Sequence, residues 1–366
     1  MSHRSTTPHK IFGVPELLGI ICKYSECLRS PHLLQISRAF FLAGVPLVWQ
    51  EVVGVQNLLK LLPGVSFNAT GEARIQGTVV VSSDLENVTR FARFDLYAQF
   101  VKYLKLFSPD ISSYIVTGWR HLSELTKRRV LLPNLLELSV TASYPLGFIK
   151  NPFLWIRMFL SPSLTSIVVE GPGTVIEEGW EIGIILSISH NCSELTKLHL
   201  EFDDNTDFMP NLPSFRPLGV LPLAEVCLKG EICVRNNELD DLATIWPNVT
   251  RFEMWDLEED LRLQGLRNFV KLPRVQHLAL PVSWHHGIPL SITPAEPSYT
   301  LRTFEILNIG LRADFDVSLL AQYLLSLWPN LESALSNMVA SQRNFNRLKS
   351  RIIDQCGLNV LDALLR

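Results

Sequence analysis

A short pattern of apolar positions recurs along most of the chain: an apolar residue, two others, a second apolar residue, one other, and a third apolar residue. Eight copies are complete, and Leu331 opens a ninth. The first positions of successive copies are 34, 29, 31, 28, 26, 26, 26 and 30 residues apart. A period of this length predicts stacked units that share one core. The complete copies are Val101/Leu104/Leu106, Leu135/Leu138/Val140, Leu164/Ile167/Val169, Leu195/Leu198/Leu200, Leu223/Val226/Leu228, Val249/Phe252/Met254, Val275/Leu278/Leu280 and Leu301/Phe304/Ile306.

The residues around the copies predict that each strand is followed by a helix. In five copies a proline stands two residues before the first apolar position, and proline ends a helix and favours an extended chain before it. These prolines are Pro133, Pro162, Pro247, Pro273 and Pro329. The segments between copies have the 3.6-residue period of amphipathic helices. The predicted helices cover 151–160, 176–190, 237–246, 257–270 and 314–328.

These features predict an α/β fold with parallel strands on one side and helices on the other. The pattern resembles the leucine-rich repeat, in the long and irregular form found in F-box proteins, and this resemblance implies a degenerate solenoid. An ordinary α/β domain with a parallel sheet is the alternative. Its strands would be continuous apolar runs, whereas these strands alternate polar and apolar positions, which indicates a sheet with one exposed face.

Residues 11–60 do not follow the repeat and predict a helical module. Pro15 suits the first turn of a helix, and Glu16 lies near the positive end of its dipole. The apolar face of this helix is formed by Leu17, Ile20, Ile21 and Tyr24. Ser30-Pro31 is expected to cap a second helix, and a third short segment ends at Val48-Trp49. The face of the second helix is formed by Leu33, Ile36 and Phe40.

Four segments are therefore expected. They are a disordered N-terminus at 1–10, the helical module at 11–60, a linker or first irregular repeat at 61–95, and the repeat array at 96–366.

The charge and composition of the chain indicate which classes of partner are not expected. The formal net charge is -3 and the pI is about 6.3, so a nucleic acid or an anionic membrane, both of which select clustered positive charge, is not expected. The six cysteines have neither disulfide-scaffold nor zinc-site spacing. The N-terminus lacks the apolar stretch of a signal peptide, and the longest apolar stretch, 39–49, is too short to cross a bilayer. We expect an intracellular protein of the cytoplasm, the nucleus or both.

The motifs of common enzyme chemistries are missing from the sequence. Gly171-Pro172-Gly173 lacks the spacing of a phosphate-binding loop, and there is no GxSxG nucleophile elbow. His285-His286 has no acidic or cysteine partner at metal-ligand spacing. We therefore expect no cofactor, no metal and no catalytic residue, although an α/β enzyme stays open as the least favoured alternative.

The N-terminal module resembles the F-box, whose pattern is an apolar residue before Pro-Glu-Leu, an isoleucine-rich first helix, a Leu-Leu pair, a Ser-Arg-x-Phe segment and a later Trp. The overall style is similar to F-box-like proteins abundant in basidiomycete fungi. The matching residues are Val14-Pro15-Glu16-Leu17, Ile20-Ile21, Leu33-Leu34, Ser37-Arg38-Ala39-Phe40 and Trp49. The sequence departs from the pattern at Val14, where Leu is usual, and between helices at 24–29. A helical cap on the solenoid is the other interpretation of this module.

The resemblance implies the substrate-recognition subunit of a Skp/cullin/F-box ubiquitin ligase. The adaptor-binding residues it implies are Pro15, Leu17, Ile20, Leu33, Leu34, Ile36 and Phe40. The adaptor would connect the chain to a cullin, and the repeats would hold an unknown protein target. A non-catalytic repeat scaffold without ligase association is the alternative.

The target would bind the outward positions of the strands, because the anchors between them point to the core. These outward residues are Tyr103, Lys105, Lys197, His199, Arg251, Glu253, Trp255 and His277.

Overall fold

The computed structural model describes residues 14–25, 31–70, 76–83, 91–108, 113–141, 152–170, 180–201, 211–230, 232–234, 238–255, 261–283, 297–307 and 317–336. The expected disordered N-terminus at 1–10 and the pair His285-His286 lie outside these residues. The chain divides into two compact units, Met1–Leu164 and Thr165–Arg366, which are described one at a time.

Helices and strands alternate in both units. The α-helices are α1 Pro15–Tyr24, α2 Arg38–Gln50, α3 Gln56–Leu59, α4 Ala92–Ala98, α5 Trp119–Arg128, α6 Pro152–Phe159, α7 Trp180–Asn191, α8 Leu242–Ile245, α9 Leu266–Phe269 and α10 Val317–Leu327. The 3₁₀ segments are Pro31–Gln35, Leu212–Val220, Leu239–Asp241 and Leu263–Gly265. None of the helices within the described ranges is long and apolar enough to cross a membrane.

The strands are β1 Glu51–Val53, β2 Val65–Thr70, β3 Gln76–Val81, β4 Tyr103–Lys105, β5 Ser113–Thr117, β6 Glu137–Thr141, β7 Ser166–Glu170, β8 Lys197–Glu201, β9 Glu225–Lys229, β10 Arg251–Trp255, β11 Leu261–Arg262, β12 His277–Ser283, β13 Thr303–Leu307 and β14 Ser333–Ser336.

The first unit begins with a small helical core. Leu18 and Cys22 of α1 pack with Phe40 of α2, and partly buried Ile21, Ala43 and Leu47 surround them. The expected second helix is wrong in its bounds, because Pro31–Gln35 is a separate 3₁₀ turn. Helix α2 begins only after Ser37, whose hydroxyl accepts the N–H of Phe40 at 3.3 Å, as N-cap residues do. It then continues to Gln50 and includes the segment expected to stand apart before Trp49.

Two sheets follow in the first unit. Strands β1, β4 and β6 are parallel, with Val52, Leu104 and Leu138 in register. The strand β1 was not expected inside the module at 11–60. Residues 61–95, expected as a linker or a first irregular repeat, contain β2 and β3, which form an antiparallel pair, and the start of α4. Strand β5 pairs with β3 in parallel and completes a three-stranded sheet.

The second unit has one parallel sheet with the strand order β7-β8-β9-β10-β12-β13-β14, and β11 pairs with the far end of β12. The second anchors of the sequence pattern lie in register from strand to strand: Ile167, Leu198, Val226, Phe252, Leu278 and Phe304. The prediction of an α/β fold with parallel strands is confirmed.

A repeated hydrogen bond precedes the strands of the second unit. The carbonyl oxygen of one residue accepts two consecutive backbone N–H groups from the next strand, at 2.7–3.0 Å. The accepting residues are Thr165, Thr196, Ala224, Thr250 and Gln276. Their spacings of 31, 28, 26 and 26 residues equal those of the corresponding sequence copies. Successive strand entries therefore have the same local geometry.

The core of the second unit lies between the anchors and the helical connections. The Phe252 ring packs against Trp246, just after α8, and Phe269 of α9, with ring centroids 5.2 and 5.9 Å apart. Phe304 contacts Trp328 in the same way at 5.5 Å. These rings are buried, and aromatic pairs at such separations stabilise a core beyond their buried area. The α-helices in these connections are shorter than expected. Within the described part of the chain, 237–246 and 257–270 each contain an α-helix of only four residues.

Candidate functional site

The first candidate surface is the face of α1 that points away from its core. Leu18 and Cys22 are buried, whereas Leu17 and Ile20 are exposed. Residues three or four apart share a helix face, so Leu17, Ile20 and Tyr24 form one row, which we call the α1 stripe. Tyr24 is 80% exposed. An uncovered row of large apolar side chains is typical of a binding surface.

The other implied adaptor-binding residues differ in how exposed their side chains are. Pro15 is exposed at the start of α1, and Ile36 is 63% exposed between the 3₁₀ turn and α2. Leu34 is half-buried and packs over Gly44, where an added Cβ would lie 2.2 Å from Leu34 Cδ2. The side chain of Leu33 lies outside the described residues.

Phe40 is the exception, because it is only 7% exposed and belongs to the helical core. Phe40 therefore packs inside the helical module, and its side chain is not available to contact an adaptor as expected. The sequence pattern could not separate these roles, since apolar residues on the two faces of a short helix look alike. Leu42 and Val14 are exposed apolar residues that the resemblance did not assign.

The second candidate surface is the outward face of the sheet in the second unit. Three rows of side chains cross it, and strand register defines them. The first row is Lys197, Glu225, Arg251 and His277, the second row is His199, Cys227, Glu253 and Ala279, and the third row is Glu201, Lys229 and Trp255. A depression of about 310 Å³ lies over β8, β9 and β10 and is lined by residues of the first two rows.

Glu253 is the most enclosed carboxylate on this surface, and the expectation that it is exposed is wrong. Arg251 Nε donates a hydrogen bond to its Oε1 at 2.5 Å, and Trp255 Nε1 donates to Oε2 at 3.3 Å. His277 Nε2 lies 3.4 Å from Oε1 without the alignment of a full hydrogen bond. The His277 ring contributes most to lowering the pKa of Glu253 to about 2, with Arg251 and Trp255 adding to it against the opposing effect of burial.

His199 faces a second carboxylate. Its Nδ1 lies 3.1 Å from Glu170 Oε1, and its Nε2 is buried without a hydrogen-bond partner. Burial lowers the pKa of His199, although Glu170, Glu201 and Glu253 oppose this. This lowering favours the neutral form of the ring, and Nδ1 is the ring nitrogen that faces the carboxylate of Glu170.

Cys227 forms the floor of the depression between the two histidine-bearing strands. Burial is the main reason that its pKa is raised to about 12, and the nearby charge of Glu253 adds to it. A thiol that stays protonated is a poor nucleophile and a poor metal ligand. Within the described residues, no group of three or more His, Cys, Asp or Glu side chains could hold a metal ion.

Most remaining charges on this surface face an opposite charge. Lys229 Nζ lies 2.7 Å from Glu201 Oε1, and Lys197 Nζ lies 3.6 Å from Glu225 Oε2. Partly exposed pairs of this kind contribute little to stability. These pairs cancel local charge between neighbouring strands, among the residues of this face that the structure describes.

Tyr103 and Lys105, the two remaining expected target-binding residues, lie on β4 of the first unit. Both are exposed, and Lys105 Nζ lies 2.7 Å from Glu51 Oε1 on the neighbouring strand β1.

A scan of the sequence against protein-family models finds no match, and a search of the curated proteins finds none.

Proposed function

We propose that the chain is the substrate-recognition subunit of a Skp/cullin/F-box ubiquitin ligase, built from an F-box-like helical module and a degenerate leucine-rich-repeat solenoid. The module binds a Skp-type adaptor, which connects it to a cullin, and the repeats bind a protein target. The chain itself acts by positioning that target and supplies no catalytic group or cofactor. Such a subunit works inside the cell, in the cytoplasm, the nucleus or both.

The adaptor step is supported by the exposure of Leu17 and Ile20 on α1 and of Ile36 just before α2, in a helical module that already has its own core. Their side chains are not needed to hold α1 on α2, because Leu18, Cys22 and Phe40 perform that role. Complete burial of a fully exposed side chain of this size is worth about 1.5–3 kcal/mol, and these three side chains, which are 40–63% exposed, contribute a part of that each. An adaptor that covers these side chains therefore forms a complex that is stabilised relative to the free chain.

The repeat architecture is supported by the regular strand entries of the second unit. Each entry repeats the same pair of hydrogen bonds at the period of the sequence pattern. The first unit repeats this entry once, where Lys102 accepts the N–H groups of Leu136 and Glu137 at 2.8 and 3.0 Å. Identical turns stacked in one direction are the property that defines a solenoid.

The outward rows of the second unit support the target-binding role. Arg251 and Trp255 are residue types that dominate binding energy in protein interfaces, and Glu253 fixes both through its hydrogen bonds. A side chain that is already held loses less conformational entropy when a partner binds. Because charges on this face cancel, we expect the target to bind through shape and polar contacts more than through net charge.

A non-catalytic repeat scaffold without a ligase is the second candidate, and one contact favours it. The Trp49 ring of α2 stacks on Tyr97 of α4, with centroids 4.5 Å apart. The helical module is thus packed on the following residues, as a cap would be. This contact leaves Leu17 and Ile20 of α1 exposed, so a binding experiment is needed to separate the two functions.

The test is to purify the full chain with a Skp-type adaptor and to measure co-elution by gel filtration. The proposed function predicts a stable complex with the wild type and none with the double variant Leu17→Asp, Ile36→Asp. Val220→Asp is the matched control, since Val220 is an exposed apolar residue of the second unit. It should leave the complex intact.

Thermal unfolding of all three proteins should agree closely, because surface substitutions usually change stability by less than about 0.5 kcal/mol. A folded wild type that forms no complex would reject the ligase function and leave the scaffold. Equal loss of binding in the control would show that the effect is not specific to the module.

A further inference from the structure

The depression over β8, β9 and β10 has a small floor and two cations in its lining. The floor is Cys227, which lies in register between the larger His199 and Glu253. Lys197 and Arg251 line the depression from the first row, and both side chains are about half exposed. Its volume of about 310 Å³ is in the range of sites that hold a small ligand or a single long side chain.

Arg251 is held at one nitrogen and open at the other two. Its Nε donates a hydrogen bond to Glu253 Oε1 at 2.5 Å, which gives the planar guanidinium a defined direction. Among the residues that the structure describes, neither Nη1 nor Nη2 has a hydrogen-bond partner. The N–H groups of a guanidinium form a fixed fork that matches the two oxygens of a carboxylate. Arg251 is therefore already oriented for a planar anion.

The carboxylates of the lining leave these donors available. Glu253 already accepts hydrogen bonds from Arg251 Nε and Trp255 Nε1. Glu225 lies on the Lys197 side, with its Oε2 3.6 Å from Lys197 Nζ. The formal charges of the two cations and two carboxylates that line the depression cancel. A single negative charge is therefore not repelled by the net charge of the lining.

The charges around the depression favour a carboxylate over a phosphate. Glu170 Oε1 lies 3.1 Å from His199 Nδ1, and Glu201 also exerts its negative charge on His199. A phosphate group on a side chain carries about −1.5 to −2 charges at pH 7, so these carboxylates and Glu225 repel it more strongly than they repel a carboxylate.

We propose that this depression binds the carboxylate of an Asp or Glu side chain of the target protein, with the two Nη groups of Arg251 as its main donors and Lys197 Nζ as a second cation. Glu253 is a positioning residue, because it acts through Arg251. The inference rests on the target-binding role in the proposed function and gives the target a chemical class, a protein with an exposed acidic side chain at the contact.

The experiment titrates the full chain with the α-amide of N-acetylglutamic acid. The reporter is the indole N–H signal of Trp255 in nitrogen–proton NMR spectra, because Trp255 and Arg251 share Glu253. A Trp255→Phe spectrum assigns this signal among the eight tryptophans. We expect saturable binding with a dissociation constant on the order of 1 mM, as suits a probe of about 13 heavy atoms. The α-amide of N-acetylglutamine, a neutral probe of the same shape, should give no saturable shift.

Three variants test the assigned donors. Arg251→Lys keeps the positive charge but removes the fork, and should raise the dissociation constant about tenfold or more. Glu225→Gln leaves Arg251 intact and removes a competing negative charge, so it should lower the dissociation constant about threefold. Arg216→Lys is the matched control, because Arg216 is an exposed arginine of the same unit in the 3₁₀ segment Leu212–Val220, and it should not change binding.

Several results would overturn the inference. They are the absence of saturable binding by the glutamate probe, equal binding of the glutamine probe, and unchanged binding by Arg251→Lys. Tighter binding of the α-amide of N-acetylphosphoserine would replace the carboxylate by a phosphate. A chain that forms the adaptor complex but does not bind the glutamate probe loses only this inference. A chain that binds the probe but no adaptor loses the ligase function and keeps the inference.

Discussion

Thr250 donates two hydrogen bonds to the carbonyl oxygen of Ala224, one from its amide nitrogen at 2.8 Å and one from its hydroxyl at 3.1 Å. Thr196 makes the same pair of bonds to Thr165, at 3.0 and 3.1 Å. A side chain thus reinforces the backbone link at the entry of these two strands. Asparagine has a related role in the other unit, where Asn134 Nδ2 donates to the carbonyl of Gln99 at 2.7 Å.

Removing only the hydrogen bond from the Thr250 hydroxyl to Ala224 tests how much this bond contributes to the stability of the fold. Thr250→Val keeps the shape of the side chain and leaves the backbone bond to Ala224 in place. We expect the unfolding free energy to fall by about 1 kcal/mol, the usual net contribution of one hydrogen bond. Urea unfolding followed by circular dichroism measures it. Thr244→Val on the exposed side of α8 is the control and should change the midpoint little.

An unchanged midpoint for Thr250→Val would show that water replaces the lost bond at this partly buried site. A change in the slope of the transition would instead indicate that unfolding is no longer a single step.

The sheet of the second unit was largely predictable because its information is local and repeated. Val226, Phe252 and Leu278 occupy equivalent places in their copies, and the structure pairs them directly. A repeated apolar period predicts both the strand and its register, since a one-residue slip would turn every anchor to solvent.

Features fixed by contacts between distant residues were not predictable in the same way. Strand β3 pairs with β5, and Tyr114 of β5 donates a hydrogen bond to the buried Gln56 side chain of α3. No period in the sequence connects these positions. Glu253 is a similar case, because alternation predicts that it faces outward but not that Arg251 and Trp255 close over it.

The helical core predicts a clear difference between Phe40 and Ile36. Phe40→Ala leaves a cavity beside Leu18 and Cys22 and should lower the unfolding free energy by about 3–5 kcal/mol. Ile36→Ala removes an exposed side chain and should cost under about 0.5 kcal/mol. Thermal unfolding of both variants measures the contrast.

Equal stability of the two variants would contradict the assignment of Phe40 to the core. Phe40→Leu serves as the intermediate variant, since it fills part of the cavity and should lose less stability than Phe40→Ala.

The enclosed carboxylate of Glu253 predicts acid sensitivity. Its pKa falls from the ordinary value of 4.5 to about 2 in the folded chain, so the unfolded chain takes up this proton first as the pH falls. The stabilising effect is therefore complete above pH 4.5 and is lost as the pH falls from there towards 2. At 1.36 kcal/mol per pKa unit, roughly 3 kcal/mol is the upper bound of this effect, because solvent screens part of it.

Glu253→Gln should remove this pH dependence. We expect the variant to be less stable than the wild type at pH 7 and the gap to narrow as the pH falls below 4.5, because the wild type then loses the charge that the variant lacks. Urea unfolding at several pH values between 7 and 2.5 measures both trends. Glu225→Gln is the control on the neighbouring strand, where the carboxylate is about half exposed. A wild type and a Glu253→Gln variant with parallel pH profiles would show that Arg251, Trp255 and His277 do not hold the charged form of Glu253 in the folded chain.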